Sequence, residues 1–415
     1  MSVLSYSTPW ALEHLHKGPL GPHIDGFAAL LSEQGYTEYT ARGKLRLAAH
    51  LSCWLHRRQL GLSDLDERQV KKFLKYRRRH GLVHRGNAAT LLQLIRHLRE
   101  AGVIPVPVVQ MDDSELLRLE RGFTQYLAQE RGLAQPTLIN YLPYVRRFLS
   151  ERFGTNNIVL AELRPPDISR FILRHAHTMS PGRAKLMVTA FRSFFRYLLW
   201  RGDISTDLAA AVPAVADWRL STLPKSLPPQ EVERLLQSCD RTTATGQRNY
   251  AILLLLARLG LRAGEVVAMT LDDIHWDTGE LTIHGKGLRT DKLPLPPDVG
   301  EAMAAYLRFS RPRCLTRRVF IRTKAPRQGF ASSVAISQIV HRALTHACIF
   351  QPVRQGAHLL RHSLATQMLQ GGASLAEIGE VLRHHLPKTT QIYAKVSLTA
   401  LRPLAQPWPG EEDVL

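Results

Sequence analysis

Cysteine is scarce in this sequence, with four residues in a chain of 415, at Cys53, Cys239, Cys314 and Cys348. No two of them have the Cys-x-x-Cys spacing of a zinc site, and four scattered thiols do not form a disulfide framework. The cysteines therefore indicate neither a cysteine-based zinc site nor a disulfide-stabilised scaffold. We expect a protein of a reducing cytoplasm.

Long hydrophobic runs are also missing. The longest apolar run extends from Tyr250 to Ala257 and ends at Arg258. A bilayer span needs about 20 apolar residues. The N-terminal segment carries Glu13 and lacks the apolar core of an export signal. We therefore expect neither a membrane span nor an export signal.

Acidic residues are few relative to basic ones. The chain has 35 Asp and Glu against 55 Lys and Arg, a formal net charge of +20. Such a charge attracts polyanions, and for a cytoplasmic protein the usual polyanion is nucleic acid. The basic residues are spread along the chain, which favours folded domains over a basic tail. Hydrophobic residues make up 45%, enough for a core in each of about two to four domains.

Helical periodicity dominates up to about residue 210, and the pattern repeats within this half. The repeat predicts two related helical domains, 1–110 and 111–212; the alternative is a chance coincidence of helix ends. Five pairs of residues recur at an offset of 96 to 100, namely Phe27 and Phe123, Gly35 and Gly132, Thr40 and Thr137, Phe73 and Phe171, and Gly102 and Gly202.

The second half begins with a proline-rich stretch, 213–229, that predicts a linker. A C-terminal domain, 230–415, should follow. Within it, 272–295 has short alternating runs separated by a DTG and a GKG turn, the pattern of a small antiparallel sheet. The predicted fold is mainly α, with this sheet in the C-terminal domain.

Five segments of the C-terminal domain carry reactive side chains. Each segment alone is weak evidence for catalysis, because a lone HxxRH or GKG is common in a basic chain. Together they supply Arg262 and Arg361, whose guanidinium forks can grip the oxygens of one phosphodiester and neutralise charge as it becomes pentacovalent. The segments are ARLGLRAGE at 257–265, HGKG at 284–287, HLLRH at 358–362, LRHH at 382–385 and TTQIY at 389–393.

Tyr393 is the candidate nucleophile of this phosphoryl-transfer pocket. A phenol has a pKa of about 10 and needs a proton acceptor at neutral pH, and His358 is the candidate. His358 and Arg361 stand three apart at a predicted helix start and share a face, with His362 one residue further. Lys286, on an exposed turn, suits the acid that protonates the leaving oxygen.

The sequence contains no metal-binding motif, and we expect neither a metal nor another cofactor. The adjacent acids Asp272 and Asp273 more simply end a helix or begin a turn. The cations of the site would come from its own side chains.

The order Arg, Lys, HxxR, His, Tyr, together with the sequences that flank these residues, resembles that of the tyrosine recombinases, also called the phage-integrase family. The resemblance covers roughly 120–410. The resemblance implies a helical core-binding domain, at 113–210, that closes with the catalytic domain as a clamp around DNA. It also implies that Glu265 supports the site, and His362, next to Arg361, is a further candidate supporting residue. The roles it implies are phosphate binding for Arg262 and Arg361, leaving-group protonation for Lys286, base for His358, a phosphate hydrogen bond for His384 and a 3′-phosphotyrosyl bond for Tyr393.

The same resemblance implies a site-specific recombinase or integrase that acts on double-stranded DNA in a prokaryotic cytoplasm, at the nucleoid. Two cut duplexes need four active sites, so a homo-tetramer or an assembly with a related recombinase is expected. Integration or transposition of a mobile element would fit the extra domain at 1–110. The segment after Tyr393 can pass to a neighbouring protomer in this family.

The sequence departs from the family pattern in one site segment. Arg383 stands where the family commonly has glycine, and a second histidine, His385, follows the first. Counting back nine residues from Tyr393 selects His384 as the site histidine, and His385 remains the alternative.

Simpler interpretations exist for single residues and for the whole chain. Arg262 can be a surface partner of Glu265 at helical spacing, Tyr393 a core aromatic, and His384 a surface histidine. The basic runs at 77–80 and 145–148 can contact phosphates or lie on solvated helix faces. At the level of function, the alternatives are a type IB topoisomerase and a DNA-binding protein with a silent recombinase domain.

Salt dependence tests the polyanion prediction. If six to ten phosphates are contacted, the logarithm of the binding constant for duplex DNA should fall against the logarithm of salt concentration with a slope of about −5 to −9. Fluorescence anisotropy over a salt series measures it, and binding that does not change with salt would contradict the prediction.

Overall fold

The computed structural model describes residues 15–82, 86–106, 114–154, 157–216, 223–285, 289–350, 356–384 and 386–396. The predicted fold class, mainly helical with a small antiparallel sheet, is confirmed. The chain forms two compact units, one made of Met1–Pro107 with Thr222–Leu415 and the other of Val108–Ser221. In the described part of the chain, no helix has the length and apolar character needed to cross a membrane.

The described residues between 15 and 106 form four helices, α1 to α4, around their own hydrophobic core. Two of these helices start at a capping side chain, since Thr37 accepts a hydrogen bond from the Thr40 N–H and Asp66 accepts one from the Gln69 N–H. After the short 3₁₀ turn Gly21–His23, the helices are Ile24–Glu33, Glu38–Arg57, Glu67–Arg79 and Asn87–Glu100.

The described residues between 114 and 216 form four further helices, α5 to α8, with a core rich in phenylalanine. Phe148 lies at its centre, with ring centroids of Phe171, Phe191 and Phe195 between 5.3 and 5.8 Å away. The helices are Glu115–Gln129, Gln135–Phe153, Pro165–Ala176 and Pro181–Arg201, with a 3₁₀ turn at Leu160–Glu162.

Residues that match across the sequence repeat occupy similar positions in these two segments. Phe27 in α1 and Phe123 in α5 are both fully buried. Gly102 follows α4 and Gly202 follows α8, and both have positive φ, a conformation that glycine adopts without a steric penalty. These positions support a relationship between the segments, which stays a prediction.

The described residues between 223 and 396 form eight helices, α9 to α16, and the sheet. Leu227, within the predicted linker, already packs in the core of this segment, and its N–H donates to the Ser363 hydroxyl. The helices are Pro229–Gln237, Ala244–Arg258, Ala263–Ala268, Pro297–Ala305, Val334–His346, His358–Gln370, Leu375–Val381 and Pro387–Thr390. Shorter turns are Leu271–Asp273 and Gln391–Val396 (3₁₀) and Tyr306–Ser310 (π).

The sheet has three antiparallel strands in chain order, β1 Ile274–His275, β2 Glu280–His284 and β3 Thr290–Pro294. Leu281 pairs with Leu293, and the β2–β3 hairpin is closed by the Gly285 N–H, which donates to the Arg289 carbonyl at 2.7 Å. The sequence-predicted DTG turn at 277–279 therefore connects β1 to β2, and the predicted GKG turn lies, beyond Gly285, outside the described residues. Asp272 and Asp273 end a short 3₁₀ turn, as expected.

Several basic side chains of the helical segments contact protein groups. Arg77 is buried, and its guanidinium donates to the Leu82 carbonyl at 2.8 Å, so it is neither on a solvated face nor available to a phosphate. Arg146 pairs with the buried Glu120. These residues stabilise helix ends and interhelical contacts within their own segments.

Gly260 makes the turn between α10 and α11. Its φ is +58°, and an added Cβ would meet Leu382 Cδ2 at 2.7 Å and Leu364 Cδ2 at 3.1 Å. Only glycine fits this turn without strain. The turn determines the position of the residues that follow it, at the start of α11.

Replacing this glycine should destabilise the protein. We expect Gly260→Ala to cost about 1–3 kcal/mol, because it combines an unfavourable φ with overlap in a packed core. Gly279→Ala is the matched control, since Gly279 has φ +64° and open space around it, and it should cost less. Thermal unfolding measures both, and equal losses would show that the packing around Gly260 adds nothing.

Candidate active site

The first arginine of the site stands at the start of α11. The Glu265 carboxylate accepts the Arg262 backbone N–H at 2.8 Å and the Arg262 Nη1 at 2.7 Å, so Glu265 both caps the helix and holds the guanidinium. The pairing with Glu265 considered from sequence is therefore present. The Arg262 side chain nevertheless remains 37% exposed, which leaves it open to a ligand.

Burial raises the pKa of Glu265. The Arg262 backbone N–H and the charges of Arg383 and Arg262 outweigh this effect, and the net pKa lies below its ordinary value. The carboxylate is therefore ionised, and it agrees with the supporting role that the resemblance implies.

The second arginine, Arg361, lies one turn into α14, which begins at His358 as predicted. Arg361 is 3% exposed, and its guanidinium donates to the carbonyl oxygens of Gly260 and Leu382. Burial, followed by the charges of Arg262 and Arg383, lowers the pKa of Arg361 to about 10. The group thus stays protonated at neutral pH, with N–H groups beyond the two that bind the carbonyls.

Tyr393 belongs to the 3₁₀ turn that follows α16, and it is 1% exposed. Its hydroxyl is 2.8 Å from Nδ1 of His362. Burial raises the pKa of Tyr393 to about 12, and the charge of Arg361 opposes this rise. At neutral pH the hydroxyl is protonated, so it needs a proton acceptor before it can act as a nucleophile.

The histidine next to that hydroxyl is His362. Burial, then His358 and Arg361, lower the pKa of His362 to about 4, so its ring is neutral at neutral pH and can accept a proton. His358 stands one turn earlier, with its ring centroid 6.4 Å from that of His362. The expectation that His358 receives the tyrosine proton is not matched by a contact in this structure, and the role of His358 stays a prediction.

His384 follows α15 and is held by a 2.9 Å contact between its Nδ1 and the Thr390 hydroxyl. Burial, then Arg361, Arg262 and Arg383, lower the pKa of His384 to about 4. The influence of both site arginines places His384 in the same charged pocket. The alternative residue, His385, lies outside the described residues, as does Lys286.

The hairpin that carries Lys286 is described up to Gly285 and again from Arg289. At its base, His284 Nε2 is 2.8 Å from the buried Asp273 carboxylate. This contact ties β2 to the 3₁₀ turn that follows α11. The sequence analysis did not assign a role to this pair.

A second contribution missed from sequence is that of Arg383, which donates to Glu265 at 2.8 Å. The departure from the glycine of the family pattern was visible in the sequence, but its partner was not. Within the described residues, no group of three or more His, Cys, Asp or Glu side chains is placed to hold a metal ion.

Comparisons with known proteins show which family this chain resembles. Residues 225–399 match the phage integrase family model, and residues 121–202 match the model of the phage integrase N-terminal SAM-like domain. A candidate integrase/recombinase, y4rA, of Sinorhizobium fredii is 45% identical over 97% of this chain and 98% of its own length. Tyrosine recombinase XerD of Lacticaseibacillus casei is 30% identical over 66% of this chain and 92% of its own.

Among solved structures, XerH site-specific recombinase bound to a palindromic difH substrate in a post-cleavage complex has a TM-score of 0.56 and 18% identity. The match covers 76% of this chain and 94% of XerH, and it supports the fold. The chain belongs to the phage integrase family. It is a site-specific tyrosine recombinase, an enzyme that cleaves and rejoins DNA, and neither topoisomerase-like relaxation nor a silent domain is favoured.

The depressed pKa of His362 predicts how stability depends on pH. Its pKa is about 4 in the folded chain and about 6.5 when unfolded, so its contribution is complete above pH 6.5 and is lost as the pH falls towards 4. Between pH 7 and pH 5 this loss is about 2 kcal/mol. Unfolding followed at both pH values should show that His362→Asn loses less stability on acidification than the native protein, and identical losses would contradict the assignment.

Proposed function

We propose that this recombinase cleaves double-stranded DNA with Tyr393 as the nucleophile and joins the 3′ phosphate to the tyrosine. The observation that carries the proposal is the 2.8 Å contact between the Tyr393 hydroxyl and His362, one residue from the buried cation Arg361. A nucleophile, a neutral base and a phosphate-binding cation are thus held within one small cluster.

The bonds formed and broken in this step balance, and no external energy source is needed. The Tyr393 oxygen attacks phosphorus and its proton passes to the imidazole of His362, while the bond from phosphorus to the 5′ oxygen breaks. The 5′ oxygen takes a proton, for which Lys286 is the sequence-based candidate. The phosphotyrosyl bond stores the energy of the broken phosphodiester, so a 5′-hydroxyl of another strand can reverse the step.

Charge development at phosphorus would be countered by three side chains. Arg262 and Arg361 are the proposed ligands of the non-bridging oxygens, because their forked donors match two oxygens of one phosphate. His384 is neutral at neutral pH, so we assign it a hydrogen bond to the phosphate rather than a charge. His358, at the exposed start of α14, remains the candidate for a second proton acceptor.

The assembly follows from the number of bonds exchanged. Two duplexes have four strands to cut, and each phosphotyrosyl bond consumes one Tyr393, so four protomers are required. We propose a tetramer on DNA, made of identical chains or shared with a related recombinase. Integration or transposition of a mobile element, at the nucleoid in the cytoplasm, is the biological role we propose, and the similarity to a candidate integrase supports it.

A covalent adduct tests the nucleophile. The protein is incubated without divalent metal with nicked duplexes tiled from DNA flanking its gene, and adducts are resolved on a denaturing gel. We expect an adduct with the native protein and none with Tyr393→Phe, because the phenylalanine variant keeps the ring and loses only the attacking oxygen.

Tyr306→Phe is the matched control, since Tyr306 is also a fully buried tyrosine of the same segment and should keep the adduct. An adduct that persists in Tyr393→Phe would overturn the proposal. Relaxation of supercoiled DNA without a defined site would instead indicate a topoisomerase, and tight binding with no adduct on any duplex would indicate a partner-dependent or silent protein.

A further inference from the structure

Arg383 occupies a backbone position that usually belongs to glycine. It lies between α15 and His384 with φ +55°, in the left-handed region that disfavours side chains. Its side chain is 4% exposed, so the guanidinium points into the protein. A charged residue in a strained and buried position needs contacts that compensate for both.

The main contact is with Glu265. Arg383 Nη2 donates to Glu265 Oε2 at 2.8 Å, and Arg262 Nη1 donates to Oε1 of the same carboxylate at 2.7 Å. A single buried carboxylate is therefore shared by two guanidinium groups. The first comes from the segment before His384 and the second from the start of α11.

This sharing changes the charge of the phosphate site. With Arg262 as its only partner, Glu265 would form an ion pair of zero net charge. The pair would attract a phosphate less strongly than Arg262 alone. With Arg383 included, the three groups carry a net charge of +1. Arg262 is then held in orientation while the cluster keeps a positive charge for the pentacovalent phosphorus.

Arg383 also faces the β2–β3 hairpin. Its Nε is buried without a hydrogen-bond partner among the described residues, and it lies 4.0 Å from Asp291 Oδ2 on β3. The same guanidinium therefore has an acidic neighbour on the hairpin and another at the start of α11.

We propose that Arg383 is a positioning residue for DNA cleavage, which fixes Arg262 by sharing Glu265 and adds the positive charge that Glu265 would otherwise cancel. The inference rests on the proposed binding of the scissile phosphate by Arg262. Arg383 acts through Arg262 and Glu265, because its own side chain is buried.

The first test replaces Arg383 with glycine, the residue that suits its φ, so that the side chain is lost without backbone strain. With saturating nicked duplex carrying the cleavage site, we expect the rate of adduct formation to fall by about 10- to 100-fold. DNA affinity should stay within about threefold, because the side chain is buried. Arg383→Asn, which also tolerates this φ, gives the same test should the glycine variant fail to fold.

A conservative variant separates charge from packing. Arg383→Lys keeps the positive charge near Glu265 but lacks the fork, so we expect a rate between that of the native protein and that of Arg383→Gly. A lysine variant no faster than the glycine variant would overturn the contribution of charge.

A double-mutant cycle tests the path through Glu265. Glu265→Gln keeps an acceptor for the Arg262 N–H and removes the negative charge that Arg383 offsets. In that background Arg383→Gly should change the rate by no more than about threefold. An equally large effect in both backgrounds, or a native rate in Arg383→Gly, would overturn the inference.

Arg262→Ala distinguishes this failure from a failure of the proposed function. The alanine variant should lose adduct formation if Arg262 binds the phosphate. Full activity of Arg262→Ala would remove the basis of the proposed function itself, whatever Arg383→Gly does. An inactive Arg262→Ala beside a fully active Arg383→Gly would refute the positioning role alone.

Discussion

The buried guanidinium of Arg361 is the constraint on which the active site depends. An arginine at 3% exposure is costly unless its N–H groups find acceptors, and Arg361 finds them in the carbonyls of Gly260 and Leu382. These carbonyls belong to the turn before α11 and to the end of α15, while Arg361 itself is in α14. One side chain thus brings together three segments distant in sequence, and the residues proposed for phosphate binding assemble around it.

The electrostatic balance of the pocket follows from this arrangement. Arg262 and Arg383 share the single carboxylate of Glu265, and Arg361 binds backbone carbonyls, so the site keeps an excess of positive charge. Together with burial, that excess holds His362 and His384 neutral at neutral pH. The pocket therefore suits a group that is more negative in the transition state than in the ground state, as a pentacovalent phosphate is. The neutral ring of His362 can still take a proton from Tyr393.

Local patterns were sufficient for much of the fold. The pairing of Arg262 with Glu265, considered from their spacing, is present, and His358 begins α14 where the sequence placed it. Which histidine, His358 or His362, contacts the Tyr393 hydroxyl could not be predicted from sequence. The answer depends on the rotation of α14 against the turn that carries Tyr393. The contact of Arg383 with Glu265 was equally hidden, since it requires a left-handed residue and a partner 118 positions away.

The chemical identity of the protein–DNA linkage tests the central claim most directly. The covalent adduct would be isolated from metal-free solution and digested with protease and nuclease, and the modified peptide would be sequenced by mass spectrometry. The account predicts a 3′-linked nucleotide on Tyr393 and a free 5′-hydroxyl on the departing strand. A nucleotide on any other residue, a 5′ linkage, or cleavage by water without an adduct would contradict it.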